Sequence, residues 1–76
     1  MELRTELQRH DFVLFAMFKK KITKVDLAKM LNVSYPTILS RLNNLGSLRI
    51  SEAVELCEIL DIKVIELITL NNFKNE

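Results

Sequence analysis

Thr23 and Ser34 stand eleven positions apart, each just ahead of a short run with apolar residues at helical spacing, and Asn32 lies between them. A Thr or Ser in such a place accepts backbone N–H bonds left free where a helix starts, and Asp26, three residues after Thr23, can return the bond as a shortened capping box. Asn enters a left-handed backbone more readily than almost any residue but Gly. The stretch therefore predicts a helix of about eight residues, a tight turn at Asn32, and another helix opening at Tyr35. Leu27, Ala28, Leu31, Val33, Ile38 and Leu42 are its expected buried side, with Ala28 where the helices cross and a larger side chain would push them apart. Pro36 falls in a first helical turn, where its missing N–H has no partner to lose.

The rest of the chain has few residues that could turn it. Gly and Pro occur once each in 76 residues, of which 49% are hydrophobic, and strands at that length would need many more turn residues. Leu3, Leu7, Leu14 and Phe18 fall on one stripe at about 100° per residue, widened by Val13, Phe15 and Met17, which predicts a first helix from about residue 4 to residue 20 with that stripe as its core face. Lys19, Lys20 and Lys21 close it, well placed for the helix dipole; a solvated end and a phosphate-facing role are both open for them. Residues 43–47 read as a loop around Gly46. Ser51 is the expected cap of a fourth helix with Ala53, Leu56, Cys57 and Leu60 inward, and a fifth runs from about Val64 to Leu70 with Ile65, Leu67 and Ile68. The expected fold is all-α, a compact bundle of about five short helices, in one domain over residues 1–70 with a short tail at 71–76. A single core is marginal at this size, so self-association is expected.

Several classes of function are poorly served. Cys57 is the only cysteine and His10 the only histidine, so neither a disulfide nor a Cys/His metal set can be assembled, and a reducing cytoplasm fits. Cys57 and Met17 read as core, Met30 and His10 as helix surface. The run Phe12–Phe18 is far short of the about 18 to 20 residues that cross a bilayer and no small-residue cleavage site follows it. No Gly-rich phosphate loop, paired catalytic carboxylates or nucleophile–base set is present. Neither an enzyme nor a cofactor, metal or membrane partner is expected.

Two short helices joined by a tight turn form a helix-turn-helix, here over residues 23–44, whose second helix can lie in the DNA major groove. The net charge of +1 hides an asymmetry that suits this use. Residues 1–50 carry nine Lys/Arg against four acids and residues 51–76 carry two against six, so the first part can face phosphate and the last should face away.

From about Ile22 to Ile68 the chain resembles the Cro/lambda-repressor-like helix-turn-helix family. "NVSYPTILSRLNN" followed by "LRISEAVELCEILDI" is most similar to small Cro-like regulators of temperate phages of Gram-positive bacteria. The resemblance implies a five-helix fold, usually dimeric, with the third helix in the groove of a double-stranded operator. It places Tyr35, Pro36, Thr37, Ser40 and Arg41 toward the bases, and Thr23, Lys24, Ser34, Asn43 and Asn44 toward phosphates. The departures are instructive. Tyr35 stands where the family often has Gln or Arg and cannot make a bidentate bond to a base edge, Pro36 offers only van der Waals contact, and Leu39 replaces a common polar residue. Asn44 replaces a loop Gly and keeps a left-handed turn available. Discrimination is expected to be apolar or shape-based, with Arg41 the one strong donor.

Two functions are left open. One is a dimeric, sequence-specific regulator that decides between lytic and lysogenic growth. The other is an antirepressor whose apolar Tyr35, Pro36, Leu39, Leu45 and Leu48 dock on a phage repressor protein. Leu45, Leu48 and Ile50 can also simply cover the open side of the small core, with the last helix and Phe73 making a homodimer.

Overall fold

The computed structural model describes residues 2–70 and is all-α, five helices with one 3₁₀ turn. In chain order they are α1 (Glu6–Lys20), α2 (Lys24–Leu31), α3 (Tyr35–Leu42), the 3₁₀ turn Leu45–Ser47, α4 (Ile50–Leu60) and α5 (Val64–Ile68). The expected tail from Asn71, with Phe73, lies outside the described residues. Among the described residues no helix is long and apolar enough to cross a membrane.

Local signals set most boundaries. Thr5 caps α1 through a reciprocal box with Gln8, so the helix starts two residues later than expected. Thr23 and Asp26 form the predicted box at 3.0 Å in each direction, and Asn32 closes α2 with φ 58°. Lys21 and Asp61 take the same left-handed conformation after α1 and α4. Asn44 does not: its φ is negative, −152°, where the chain passes directly into the 3₁₀ turn. α4 begins at Ile50, not after Ser51, since the Glu52 carboxylate accepts the Arg49 N–H at 2.9 Å and caps the helix without a hydroxyl. α5 stops at Ile68 because Thr69 extends into an antiparallel bridge with Leu3, flanked by Arg4 N–H to Ile68 C=O and Leu70 N–H to Glu2 C=O bonds. The two ends of the domain are thereby tied together.

The core is one cluster drawn from every helix. Val13, Ala16 and Met17 of α1, Leu27, Ala28 and Leu31 of α2, Ile38 and Leu42 of α3, Leu45, then Leu56, Cys57, Leu60 and Leu67 are buried, with Val33 packed at the edge. Burial, and secondarily the Glu66 charge, pushes the Cys57 thiol above its ordinary range, so it is a core hydrophobe.

The expected core stripe of α1 is the wrong face. Leu3 is 67% exposed, Leu7 68%, Phe15 57% and Phe18 79%; of the expected set only Val13 and Met17, at its margin, are buried, and Leu14 reaches the core edge. The sequence from Phe12 to Phe18 is apolar all round the helix, so periodicity alone does not set its phase. α1 lies against α4, α5 and the 3₁₀ turn, and that close approach selects the face with the small Ala16. In α5 only Leu67 is buried, while Ile65 and Ile68 are exposed. Ile50, 79% exposed, does not cover the core. With Leu48, Ala53 and Val64 it lines an open cleft of about 280 Å³.

The turn at residues 45–47 is held by α1. Glu6 accepts the N–H of Gly46 at 3.0 Å and that of Leu45, while Arg9 pairs with it at 2.9 Å. Burial raises the Glu6 pKa, but the bonds from Arg9, Gly46 and Leu45 outweigh it and hold the carboxyl below its ordinary value. A Cβ at Gly46 would come within 2.8 Å of the Arg9 guanidinium, so a larger residue here would push the Arg9 side chain from its place beside Glu6.

Candidate nucleic-acid interface

α2 and α3 pack closely on each other, and Ala28 of α2 is buried. Ile38 and Leu42 point into the core, which fixes what the rest of α3 shows to solvent. At 100° per residue the side opposite them carries Pro36, Ser40 and Asn43, all exposed, with partly buried Leu39 beside them. Tyr35, 45% exposed, and partly buried Thr37 flank this row on either side at the start of the helix.

Hydroxyls at that start are already ordered. Ser34 Oγ accepts the Thr37 N–H at 3.3 Å and donates to Thr37 Oγ1 at 2.8 Å. The Ser34 hydrogen is thus committed, and the Thr37 hydroxyl hydrogen is left to donate outward. Thr23 Oγ1 is an acceptor in its own cap, and the bonds from the Thr23 backbone and hydroxyl hold the Asp26 carboxyl below its ordinary value, against a smaller opposing effect of burial. Lys24, the first residue of α2, is partly exposed, and Asn43 and Asn44 are exposed just past α3.

Arg41 is placed differently from the other four residues expected to face the bases. It lies beside the buried pair Ile38 and Leu42 and turns toward α4, where its guanidinium bonds the Glu52 carboxylate at 3.2 Å. About a quarter of each side chain is exposed. This pair occupies one nitrogen of the Arg41 guanidinium and leaves its other donors to point elsewhere. Glu52 had no part in the sequence-based site; no periodicity links residues eleven apart across a loop.

A family model for the Cro/C1-type HTH DNA-binding domain matches residues 16–72. The chain belongs to the Cro/C1-type helix-turn-helix family. Comparisons with curated proteins and with solved structures give no match. Membership makes the chain a DNA-binding regulator in broad terms, consistent with the resemblance read from residues 22–68, and a Cro/C1-type domain accounts for the α2–turn–α3 geometry. The matched region starts inside α1 at Ala16, so the first ten residues of that helix precede it.

Proposed function

We propose that this protein is a sequence-specific transcriptional regulator that binds a two-fold operator as a homodimer in the bacterial cytoplasm, with α3 in the major groove, in the manner of a Cro-like switch between lytic and lysogenic growth. The observation that carries this reading is the outward row Pro36, Ser40 and Asn43, with Tyr35 and Thr37 beside it, on the second helix of a Cro/C1-type unit. Thr37 and Ser40 supply hydroxyls to base edges, and Tyr35 and Pro36 supply apolar contact such as a thymine methyl accepts. Asn43 at the end of that row, with Thr23, Lys24, Ser34 and Asn44 beside it, fixes register on the phosphates. Arg41 adds the guanidinium donors that Glu52 leaves free.

The test is a titration of the protein into labelled DNA from the intergenic region upstream of its own coding sequence, at two salt concentrations, with a scrambled duplex beside it. Preferential, salt-sensitive binding is expected. Equal binding to both duplexes, or none at low salt, overturns the reading.

A second reading draws on the apolar character of the exposed α3 start, Tyr35 and Pro36 with Leu39 beside them. On this reading the same face docks on a phage repressor and the protein is an antirepressor. Leu45 is buried and contributes nothing to that face, so the docking set is smaller than the sequence suggested. Retention of the repressor by immobilised protein, lost on Tyr35→Ala, would favour it over the operator reading.

A further inference from the structure

α1 carries apolar side chains around more of its circumference than the fold uses. With Val13, Ala16 and Met17 inside, Leu7, Phe15 and Phe18 point outward, within an arc of about 80° at 100° per residue. Among the described residues nothing packs across them: α4, α5 and the 3₁₀ turn lie on the opposite side. Three large apolar side chains on one outward helical face form a contiguous patch, unlike the scattered apolar residues of an ordinary surface. Leu7 and Phe15 lie before Ala16, where the family match begins.

The charges on this face say what fits it. Asp11 stands four residues before Phe15 and Lys19 four residues after, so both share the outward side with it, one turn away in each direction. Lys19 Nζ lies 5.0 Å from the centre of the Phe15 ring, and Asp11 faces solvent with only His10, at 3.8 Å, beside it. An aromatic residue with an acid one turn before it and a base one turn after it is complementary to its own copy run in the opposite direction. A parallel arrangement would instead set Lys19, Lys20 and Lys21 against the same lysines. We propose that the outward face of α1 is a homodimer surface, in which two copies pack α1 antiparallel about a two-fold axis at Phe15, ring against ring, with Asp11 of each copy beside Lys19 of the other.

The interface is isologous, as closed two-fold symmetry requires. Phe15 and Phe18 of two copies bring roughly 500 Å² of exposed apolar surface, with Leu14 and Lys19 flanking them, the low end of specific contacts, while Leu7 lies opposite the chain beyond the partner's Lys20 and adds little. That size makes a reversible dimer. α3 packs on α2 and the 3₁₀ turn, away from this face, so pairing through α1 leaves both α3 helices open. Self-association through α1 is independent of what α3 binds.

Sedimentation equilibrium of the full chain without DNA tests the pairing alone. The wild type is expected to dimerise with a concentration-dependent mass. Asp11→Lys and Lys19→Glu, both on exposed positions, should each weaken the dimer about tenfold, and the double variant should recover most of that loss. Phe15→Glu should give a monomer whose helical circular dichroism matches the wild type. A wild type that stays monomeric, as it would if another protein or residues 71–76 cover this face, overturns the proposal. So does a dimer that Phe15→Glu leaves intact, or two charge reversals that fail to rescue each other.

Discussion

Arg41 on α3 and Glu52 on α4 are bonded at 3.2 Å, which ties the only strongly donating side chain of α3 to the body of the domain. Glu52 serves two partners at once, since its other oxygen accepts the Arg49 N–H at the start of α4. One carboxylate therefore sets both where α4 begins and where Arg41 points.

Replacing Glu52 by Gln should release Arg41 while keeping an acceptor for the Arg49 N–H. The expected outcome is tighter binding to operator and scrambled duplex alike, with the slope of log affinity against log salt steeper by about one ion. Arg41→Ala should leave the slope of the wild-type protein nearly unchanged and lower thermal stability by roughly 1 kcal/mol, because it removes a half-buried pair from the α3–α4 contact. Fluorescence anisotropy across a salt series and thermal melts by circular dichroism separate the two effects.

The clasp from α1 to the 3₁₀ turn predicts a pH dependence of stability. The Glu6 carboxyl is held below its ordinary 4.5 and the Asp26 carboxyl below its ordinary 3.8. A depressed folded-state pKa gives stability that is fully present above the ordinary value and is lost as pH falls through the folded one. Melting temperature should thus hold steady down to about pH 5 and decline below it. Glu6→Gln should melt lower at neutral pH, where Leu45 and Gly46 lose a charged acceptor, and should show a shallower acid decline. A full-sized acid decline in Glu6→Gln would show that the clasp is not its source.

Ala28 is buried in the same core cluster as Leu27, Leu31, Ile38 and Leu42, and its small side chain is the one expected where α2 and α3 cross. Ala28→Leu forces extra methyl and methylene groups into that crossing and should destabilise the domain by about 1–3 kcal/mol. The same change at exposed Lys29 should be close to neutral. Chemical denaturation of the two variants checks the difference.

What could be read from the sequence was local. Thr23 with Asp26, Asn32 and Ser34 act over three or four residues, and each does in the structure what its chemistry dictates. Once Ile38 and Leu42 are inward, the exposed row Pro36, Ser40 and Asn43 follows from helix geometry alone. What could not be read depends on elements distant in sequence. The phase of α1 is decided by α4, α5 and the 3₁₀ turn, since any face of Phe12–Phe18 is apolar enough to be core. α5 is cut short by the bridge from Thr69 to Leu3. The start of α4 follows from the Glu52 carboxylate rather than the Ser51 hydroxyl, and that same carboxylate holds the Arg41 guanidinium toward α4.

Lys24 and Tyr35 provide the sharpest test of how α2 and α3 share the work on DNA. Lys24 opens α2 and offers a charge with no shape of its own, so Lys24→Glu should weaken binding to every duplex and flatten the salt dependence by about one ion. Tyr35 opens α3 and has no charge to give. Tyr35→Ala should leave the salt slope unchanged and lower the preference for the operator over a scrambled duplex by roughly 1 kcal/mol, below the range of a bidentate base contact. If Tyr35→Ala leaves that preference intact, the ring does not meet the bases. In that case its 45% exposure belongs to a protein contact, and the repressor pull-down becomes the deciding measurement.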